Sequence, residues 1–299
     1  MNAFSLSTET LDLPGGAFAR GYRRLVRYRG QPVVGFTQGA HRSYLYPVYS
    51  PQGYLLTSES PADHPHHNSV WVAADHVHCL FPIGGARRHE EGTYCFYVNE
   101  TFQGRAAGRI EETECRAEEV SEDLLQVVQR LRWQGPVEWG SAEGKCILSE
   151  TRTTTVQVTE SLYRIEICSR IEPTDWDLRI GPTRHAYFGV RVSESMQVKE
   201  GGRVVASDGC SDVRRISGSL AEWIDYSGPV GGGQRAGITI VPGTDPAAGE
   251  WFVTDWGTVA INPFVNSSHT LAAGDALQCS LLLLLHDGEG APESVPARI

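Results

Sequence analysis

The chain lacks any long apolar segment. No uninterrupted apolar run exceeds the five leucines from Leu281 to Leu285, far short of the roughly 20 residues a membrane-spanning helix needs. No membrane partner is expected. Positive charge is also short: 26 Lys and Arg stand against 36 Asp and Glu, a net charge of −10. Affinity for nucleic acid comes from clustered cations on phosphates. The one Arg-rich stretch (Arg20, Arg23, Arg24, Arg27, Arg29) has Tyr and Leu interleaved, as the solvent face of a strand would. Nucleic acid is therefore not an expected partner. The N-terminus lacks a basic region followed by an apolar core, so it does not read as a secretory signal. The seven cysteines are odd in number and have no short regular spacing. They read as scattered core thiols of a reducing compartment rather than a disulfide framework, and a cytoplasmic location is expected. Cys79, Cys95, Cys146, Cys168 and Cys279 fall in strand-like patterns. No Gly-x-Ser-x-Gly turn appears, which argues against a serine hydrolase. Gly231-Gly232-Gly233 lacks the spacing of a phosphate loop and reads as a turn.

What is present is strand. Leu25–Phe36, Ile147–Val158, Leu162–Ile171, Phe188–Val192, Gly237–Val241, Trp251–Ile261 and Leu277–His286 are rich in Val, Ile, Thr and aromatics. Turn signals punctuate them at Arg29-Gly30, Pro51-Gln52-Gly53, Gly84-Gly85, Gly201-Gly202 and Gly231-Gly232-Gly233. Thr151 to Thr159 alternates β-branched and polar residues, the pattern of a half-buried strand. Only Glu118–Gln129 hints at a helix, and Leu124–Leu131 suits a strand equally. There is no fixed-period repeat and no low-complexity linker. The reading is all-β: a large antiparallel sandwich or barrel, residues 1–299 forming one domain.

Chemistry concentrates in Asp63-His64-Pro65-His66-His67-Asn68-Ser69-Val70-Trp71, where three of the ten histidines fall within four positions. Imidazole exchanges protons near neutral pH and is the commonest nitrogen ligand for metals. Pro65 rules out a helix interior and pushes His64 towards extended geometry. Extended backbone would point His64 and His66 one way and Asp63 and His67 the other. His64 and His66 could then form a two-His metal site completed from elsewhere, and His76 and His78 share a strand face that would suit it. A divalent transition metal is an allowed cofactor on this pattern. A second candidate is His185, flanked by Arg184 and by Tyr187 two residues on. A His, Tyr and Arg at the start of a strand would bind and polarise an oxygen-rich ligand. Trp71, Trp176, Trp223 and Trp256 suit either sugar faces or core packing.

Two resemblances follow from these residues. Arg42-Ser43-Tyr44-Leu45-Tyr46-Pro47-Val48-Tyr49-Ser50-Pro51-Gln52-Gly53, then Asp63-His64-Pro65-His66-His67 and Val70-Trp71, resemble a bacterial family labelled PmoA-like. Its motif reads approximately Asp-His-Pro-His-His-Arg-Gly-Leu-Trp. The resemblance extends through Val190-Arg191-Val192 and Asn262-Pro263-Phe264. Here Asn68-Ser69 replaces the family's Arg-Gly, which implies a different substrate if that Arg grips one. The label suggests a methane oxygenase subunit, but such a subunit is membrane-embedded, and that function is not carried over. Separately, Gly181-Pro182-Thr183-Arg184-His185-Ala186-Tyr187-Phe188 is similar to the Thr-x-His-x-Tyr-Phe segment of the galactose mutarotase-like superfamily. Thr254-Asp255-Trp256-Gly257-Thr258-Val259 and Leu271-Ala272-Ala273-Gly274-Asp275 match its later motifs in the same order. This resemblance implies a β-supersandwich with a polar cleft for a sugar ring.

By that resemblance His185 matches the histidine that protonates a sugar's ring oxygen, and Asp255 lies near the catalytic carboxylate, where Glu is the family's residue. The leading expectation is an enzyme acting on a carbohydrate or a similar polyhydroxylated or keto compound, as an isomerase, lyase or glycoside-cleaving enzyme. His67, His185, Asp63 and Tyr187 would carry the proton transfers. Arg184, His66, Asn68, Trp71, Arg191, Asp255 and Asn262 would bind the small-molecule substrate. The alternatives are a metal-dependent oxygenase or lyase using His64, His66, His76 and His78, and a non-catalytic sugar-binding module. A homo-oligomer is compatible with any of these.

Overall fold

Alternation of burial runs through the paired strands Cys146–Val158 and Leu162–Pro173. From Thr151 to Val158 the even positions are buried and the odd ones half-buried, the period of a strand covered on one face. In this computed structural model, which describes residues 3–10, 21–82, 89–136, 144–244 and 249–297, such strands build three sheets. The first runs in the order Phe4–Thr10, Tyr22–Tyr28, Gln31–Gln38, Ser43–Val48, Val70–Ala74, Ala186–Arg191, Thr258–Asn262, Glu250–Val253. The second runs Arg203–Ala206, Ile224–Gly231, Gln234–Pro242, Leu277–Asp287, Leu162–Pro173, Cys146–Val158, Leu124–Gln134, Arg109–Ser121. A smaller third sheet joins His269–Leu271, Leu178–Ile180, Val77–Pro82, His89–Cys95 and Ala106–Ala107. Neighbouring strands pair antiparallel, apart from Ala106–Ala107, which runs parallel to His89–Cys95. The protein is all-β with large antiparallel sheets.

The first two sheets share one core, to which Val26, Phe36, Val72 and Val190 contribute from one side and Val127, Ile165, Ile238 and Leu283 from the other. A buried polar network links them. Glu150 accepts from Arg152 Nε (2.8 Å) and Nη2 (3.0 Å), from Trp133 Nε1 (2.7 Å) and from Ser169 Oγ (2.7 Å). Arg152 Nη1 reaches across to the Ser43 carbonyl of the first sheet (3.1 Å), and Tyr187 of the first sheet meets Ser169 at 2.8 Å. Charges this deep stay because every partner is present.

Several local expectations need correction. Glu118–Gln129 holds no helix: one strand ends at Ser121, the next begins at Leu124, and Leu125, Val127, Gln129 and Leu131 are buried with period two. Leu25–Phe36 is a hairpin folded at Arg29-Gly30, and Trp251–Ile261 is split by a turn at residues 254–257. Gly231, Gly232 and Gly233 all take positive φ (99°, 58° and 75°) and close the hairpin to Gln234–Pro242, a backbone path that favours glycine. The turn expected at Gly84-Gly85, like Arg20, lies outside the described residues. Cys79, Cys95 and Cys279 are buried, while Cys146 and Cys168 are half-buried. Burial pushes the Cys79 and Cys95 thiols up to about 12 and about 11. Among the described residues no helix is long and apolar enough to cross a membrane.

The strand Val70–Ala74 is buried on both faces. Val70, Val72 and Ala74 join the shared core, whereas Trp71 and Ala73 join a second cluster with Tyr44, Cys95, Tyr97 and Val98. That second cluster lies on the other face of the first sheet and forms the floor of the candidate site. At Asp75-His76 the chain leaves the first sheet for the third, with His76 at φ 53°.

Replacing Arg152 with Met is expected to leave Glu150 charged and uncompensated, lowering stability by about 3–5 kcal/mol. Urea unfolding midpoints of the two proteins test this.

Candidate active site

Pro65 does not set up an extended segment. Two successive turns close instead: His64 N donates to the Pro61 carbonyl (3.1 Å) and His67 N to the His64 carbonyl (2.9 Å). The expected split of the side chains onto opposite faces is therefore wrong, because a turn rotates successive Cβ atoms together. The three imidazoles converge, with centroids 4.6 to 5.7 Å apart. Trp256, His64, His67 and Trp71 form a continuous ring stack with successive centroids at 4.5, 4.7 and 5.0 Å. Trp71 stands over Gly189, where any Cβ would fall 2.1 Å from the indole. Asp63 is gripped by Arg191 Nη2, which donates to both carboxylate oxygens at 2.8 Å, and His64 Nδ1 lies 3.1 Å from it. Arg191 is buried, reaches Thr258 Oγ1 through Nη1 (3.2 Å) and lies 4.8 Å over the Trp256 ring.

A second histidine–carboxylate group stands at the corner after Val70–Ala74. Asp75 is fully buried and accepts from Arg105 Nε (2.6 Å), Arg105 Nη2 (2.8 Å) and the His76 N–H (2.7 Å). His185 Nδ1 lies 3.6 Å from Asp75 Oδ2, longer than a hydrogen bond but within ion-pair reach. The His185 carbonyl takes the Asp75 N–H (2.9 Å), and the His185 N–H donates to Thr183 Oγ1 (3.1 Å). Arg184 Nε donates to His185 Nε2 (3.2 Å), which places the ring proton on Nδ1, facing Asp75.

Tyr97 joins the two groups. Its ring lies 5.1 Å from His185 on a near-parallel plane and 5.3 Å from His66 edge-on. Its hydroxyl and His67 Nε2 are 2.9 Å apart, while His67 Nδ1 is 3.2 Å from Thr258 Oγ1. Both His67 nitrogens are thus occupied inside the protein. Buried Arg42 props the wall from behind: Nη1 donates to the His66 carbonyl (2.8 Å), and Nη2 donates to the Tyr97 carbonyl (2.6 Å) and Asn99 Oδ1 (2.8 Å). A cavity of about 400 Å³ opens here, with His41, His66, Asn99 and Phe102 among its walls.

Burial and neighbouring cations set the charges. Burial, then Arg42, lowers His66 to about 3; burial, then the adjacent imidazoles, lowers His67 to about 2. Burial works against a charged Asp63, but hydrogen bonds from Arg191 and His64 win and hold it down to about 2. Asp75 is likewise held well below the ordinary carboxylate range: burial opposes its charge, and His185, Arg105 and the His76 N–H outweigh it. Burial drops the Arg42 guanidinium to about 10.

Other expected site residues stand elsewhere. Tyr187 does not reach the cleft: it is fully buried, its hydroxyl on Ser169 and its ring against Phe188 and Phe264. Asn262 is buried too. Its amide donates to the Thr183 carbonyl (2.6 Å) and accepts from the Phe264 N–H (2.8 Å), which positions the loop carrying His185. Asn68 donates to Ser60 Oγ (2.9 Å). Asp255 is exposed, and its carbonyl receives the Val198 N–H. The expected metal site does not form either: among the described residues no three His, Cys, Asp or Glu side chains are placed to hold a metal ion. His64 turns Nδ1 to Asp63, His76 Nδ1 lies 3.2 Å from Asp75, and His78 Nδ1 is 2.9 Å from Thr93 Oγ1 in the third sheet. Tyr97, Asn99, Phe102 and Arg105 come from a loop with no motif of its own, so residue type and spacing give no signal for them.

The chain belongs to a family of unknown function, DUF6807, which matches it over residues 20–299. No curated protein matches it. Among solved structures, a galactose mutarotase-like protein from Lactobacillus casei ATCC 334 is 9% identical with a TM-score of 0.42, covering 94% of this chain and 100% of that one. The GH36 alpha-galactosidase AgaA from Geobacillus stearothermophilus is 12% identical with a TM-score of 0.37, covering 95% of this chain and 41% of that one. Neither likeness is close enough to transfer the role of any residue.

In the unfolded chain, imidazoles take up a proton near pH 6.5, about 1.4 kcal/mol per pH unit for each one kept neutral. In the folded protein His66 and His67 do so only near 3 and 2. The unfolded state therefore binds more protons through that window, and stability is expected to fall as the pH drops below 6.5. Urea midpoints between pH 7 and pH 4 test this, and a His67→Gln variant should show a shallower slope.

Proposed function

We propose that the protein is an enzyme acting on a carbohydrate or a related polyhydroxylated or keto compound through paired histidine–carboxylate groups. The observation that carries this reading is the repeated unit on either side of Tyr97: His64–Asp63–Arg191 and His185–Asp75–Arg105. In each, an arginine holds a carboxylate charged and the carboxylate faces Nδ1 of a histidine. That arrangement leaves Nε2 of each ring as the working nitrogen.

In this reading His185 is the proton acceptor. Among the described residues its Nε2 lone pair is covered by Arg184 alone, an exposed side chain whose N–H groups could turn onto a substrate oxygen. His64, on Asp63, returns or delivers a proton from the other side. Tyr97 and His66 form the wall between them. His67 acts by positioning: with both nitrogens engaged, it fixes the Tyr97 hydroxyl and backs His64. Two proton-transfer groups on either side of the Tyr97–His66 wall suit ring opening, epimerisation, β-elimination next to a carbonyl, or glycoside cleavage, each a reaction in which one proton leaves as another arrives. Positioned groups of this kind contribute about 10²–10⁴-fold each.

His185→Asn is expected to lower kcat by about 10²–10⁴-fold on the responsive substrate of a panel of aldoses, ketoses and glycosides, with an unchanged thermal midpoint. Full turnover in that variant would remove His185 from the chemistry and with it this reading.

A further inference from the structure

A second cavity, of about 480 Å³, opens beside the Asp63–Arg191 pair and shares no lining residue with the cleft at His66. Its walls include Asp63, Arg191, Glu194, Gln197, Lys199 and Glu200. Two of these side chains are almost wholly buried and yet incomplete. Gln197 is 3% exposed and Arg191 1%, and among the described residues Gln197 Oε1 and Arg191 Nε have no partner. Buried polar atoms without partners are rare in folded proteins and call for an explanation.

The backbone sets Gln197 firmly. Its N–H donates to the Glu194 carbonyl (3.2 Å), and its own carbonyl accepts from Glu200 N (2.9 Å) and Gly202 N (2.9 Å). Its side chain packs on Gly257, where a Cβ would sit 3.1 Å from Gln197 Cγ. Gly257 follows Trp256, the outer ring of the stack, so this wall is continuous with the histidine site.

The charges lining the cavity are mixed, with Asp63, Glu194 and Glu200 against Arg191 and Lys199. Such a set offers an anion such as phosphate little net attraction. It matches hydroxyl groups, each of which donates and accepts at once. Gln197 and Arg191 each bring an unmet polar atom to this wall, and the exposed Glu194, Lys199 and Glu200 add the acceptors and donor that complement a polyol. Asp63 and His66 are three residues apart, so their Cα atoms are separated by at most about 11 Å, within the reach of two linked pyranose rings.

We propose that this cavity is a second saccharide subsite, and that the ligand is a glycoside of two linked sugar units. One ring lies at His185 and His66 and the other against Gln197 and Lys199. The proposal rests on the carbohydrate reading of the histidine cleft.

Calorimetric titration of the full chain with methyl glycosides of glucose, galactose and mannose, and with disaccharides of the same sugars, tests it. At least one disaccharide is expected to bind about tenfold tighter than its methyl glycoside. Gln197→Leu and Lys199→Ala should each remove about fivefold of that gain and leave methyl glycoside binding unchanged. Lys199 is exposed, so its variant remains informative even where Gln197→Leu disturbs folding. Equal binding of one-ring and two-ring ligands, or variants that weaken both alike, would overturn the subsite. Methyl glycoside binding that His185→Asn abolishes, with no gain from a second ring, would remove the subsite and spare the reading beneath it. Failure of every saccharide to bind would remove both.

Discussion

A carboxylate with no exposure to solvent governs the architecture of this site. Asp75 sits where the chain passes from the first sheet to the third. An ionised carboxyl in that position is tolerated only when charge and hydrogen bonds surround it. Arg105 therefore has to reach in from the loop after His89–Cys95, the His76 N–H has to turn back, and the loop carrying His185 has to lie alongside. Three segments distant in sequence are held at one point by a single desolvated charge. Phe102, 5.5 Å from the Arg105 guanidinium and 5.7 Å from the His185 ring, packs into the same junction.

The opposite flank solves the same problem less deeply. Asp63 keeps 45% of its side-chain surface exposed, whereas its partner Arg191 keeps 1%. Here it is the cation that is buried, and Thr258, Trp256 and the carboxylate engage it while its Nε stays unmet among the described residues. Arg42 is a third buried guanidinium, whose hydrogen bonds go to neutral oxygens of His66, Tyr97 and Asn99. With cations behind the wall and burial around it, His66 and His67 remain neutral through the physiological range. The ring stack from Trp256 to Trp71 thus carries the uncharged His67 against the Trp71 indole, with neutral His66 set edge-on beside it. The ionic groups are confined to the two flanks, and a polar cavity lies beyond one of them.

Much of the fold was legible in the residues. Period-two burial in Thr151–Val158 and the glycine turn at Gly231–Gly233 depend on neighbours in sequence, and both are found as read. The ambiguity at Glu118–Gln129 has a local cause: Leu124, Val127, Val128 and Leu131 stand at the spacing of a helix face as well as within a strand, and only the partner strand decides between them. The site was half legible. The cluster at Asp63–His67 and the residue His185 stood out by type and density. Tyr97, which joins them, and Arg105, which fixes Asp75, carry no such signature. Tyr187 and Asn262 had the right chemistry but face the interior, and the clearest warning of this, their burial, is not written in a short motif. His286 shows the same limit from the other side: it lies 2.8 Å from Asp225 in a buried pair remote from any motif.

What the amino-acid sequence determined by itself was composition and local order: strands, turns, a net negative charge and a dense knot of imidazoles. These follow from backbone propensity and side-chain type, which act over a few residues. Tertiary structure alone decided which histidine faces which carboxylate, which nitrogens remain free, and which polar atoms are left unmet beside a cavity. Those outcomes depend on desolvation and on contacts between segments as much as 191 residues apart, as between His67 and Thr258. Only the folded sheets bring such groups within a few ångströms of one another.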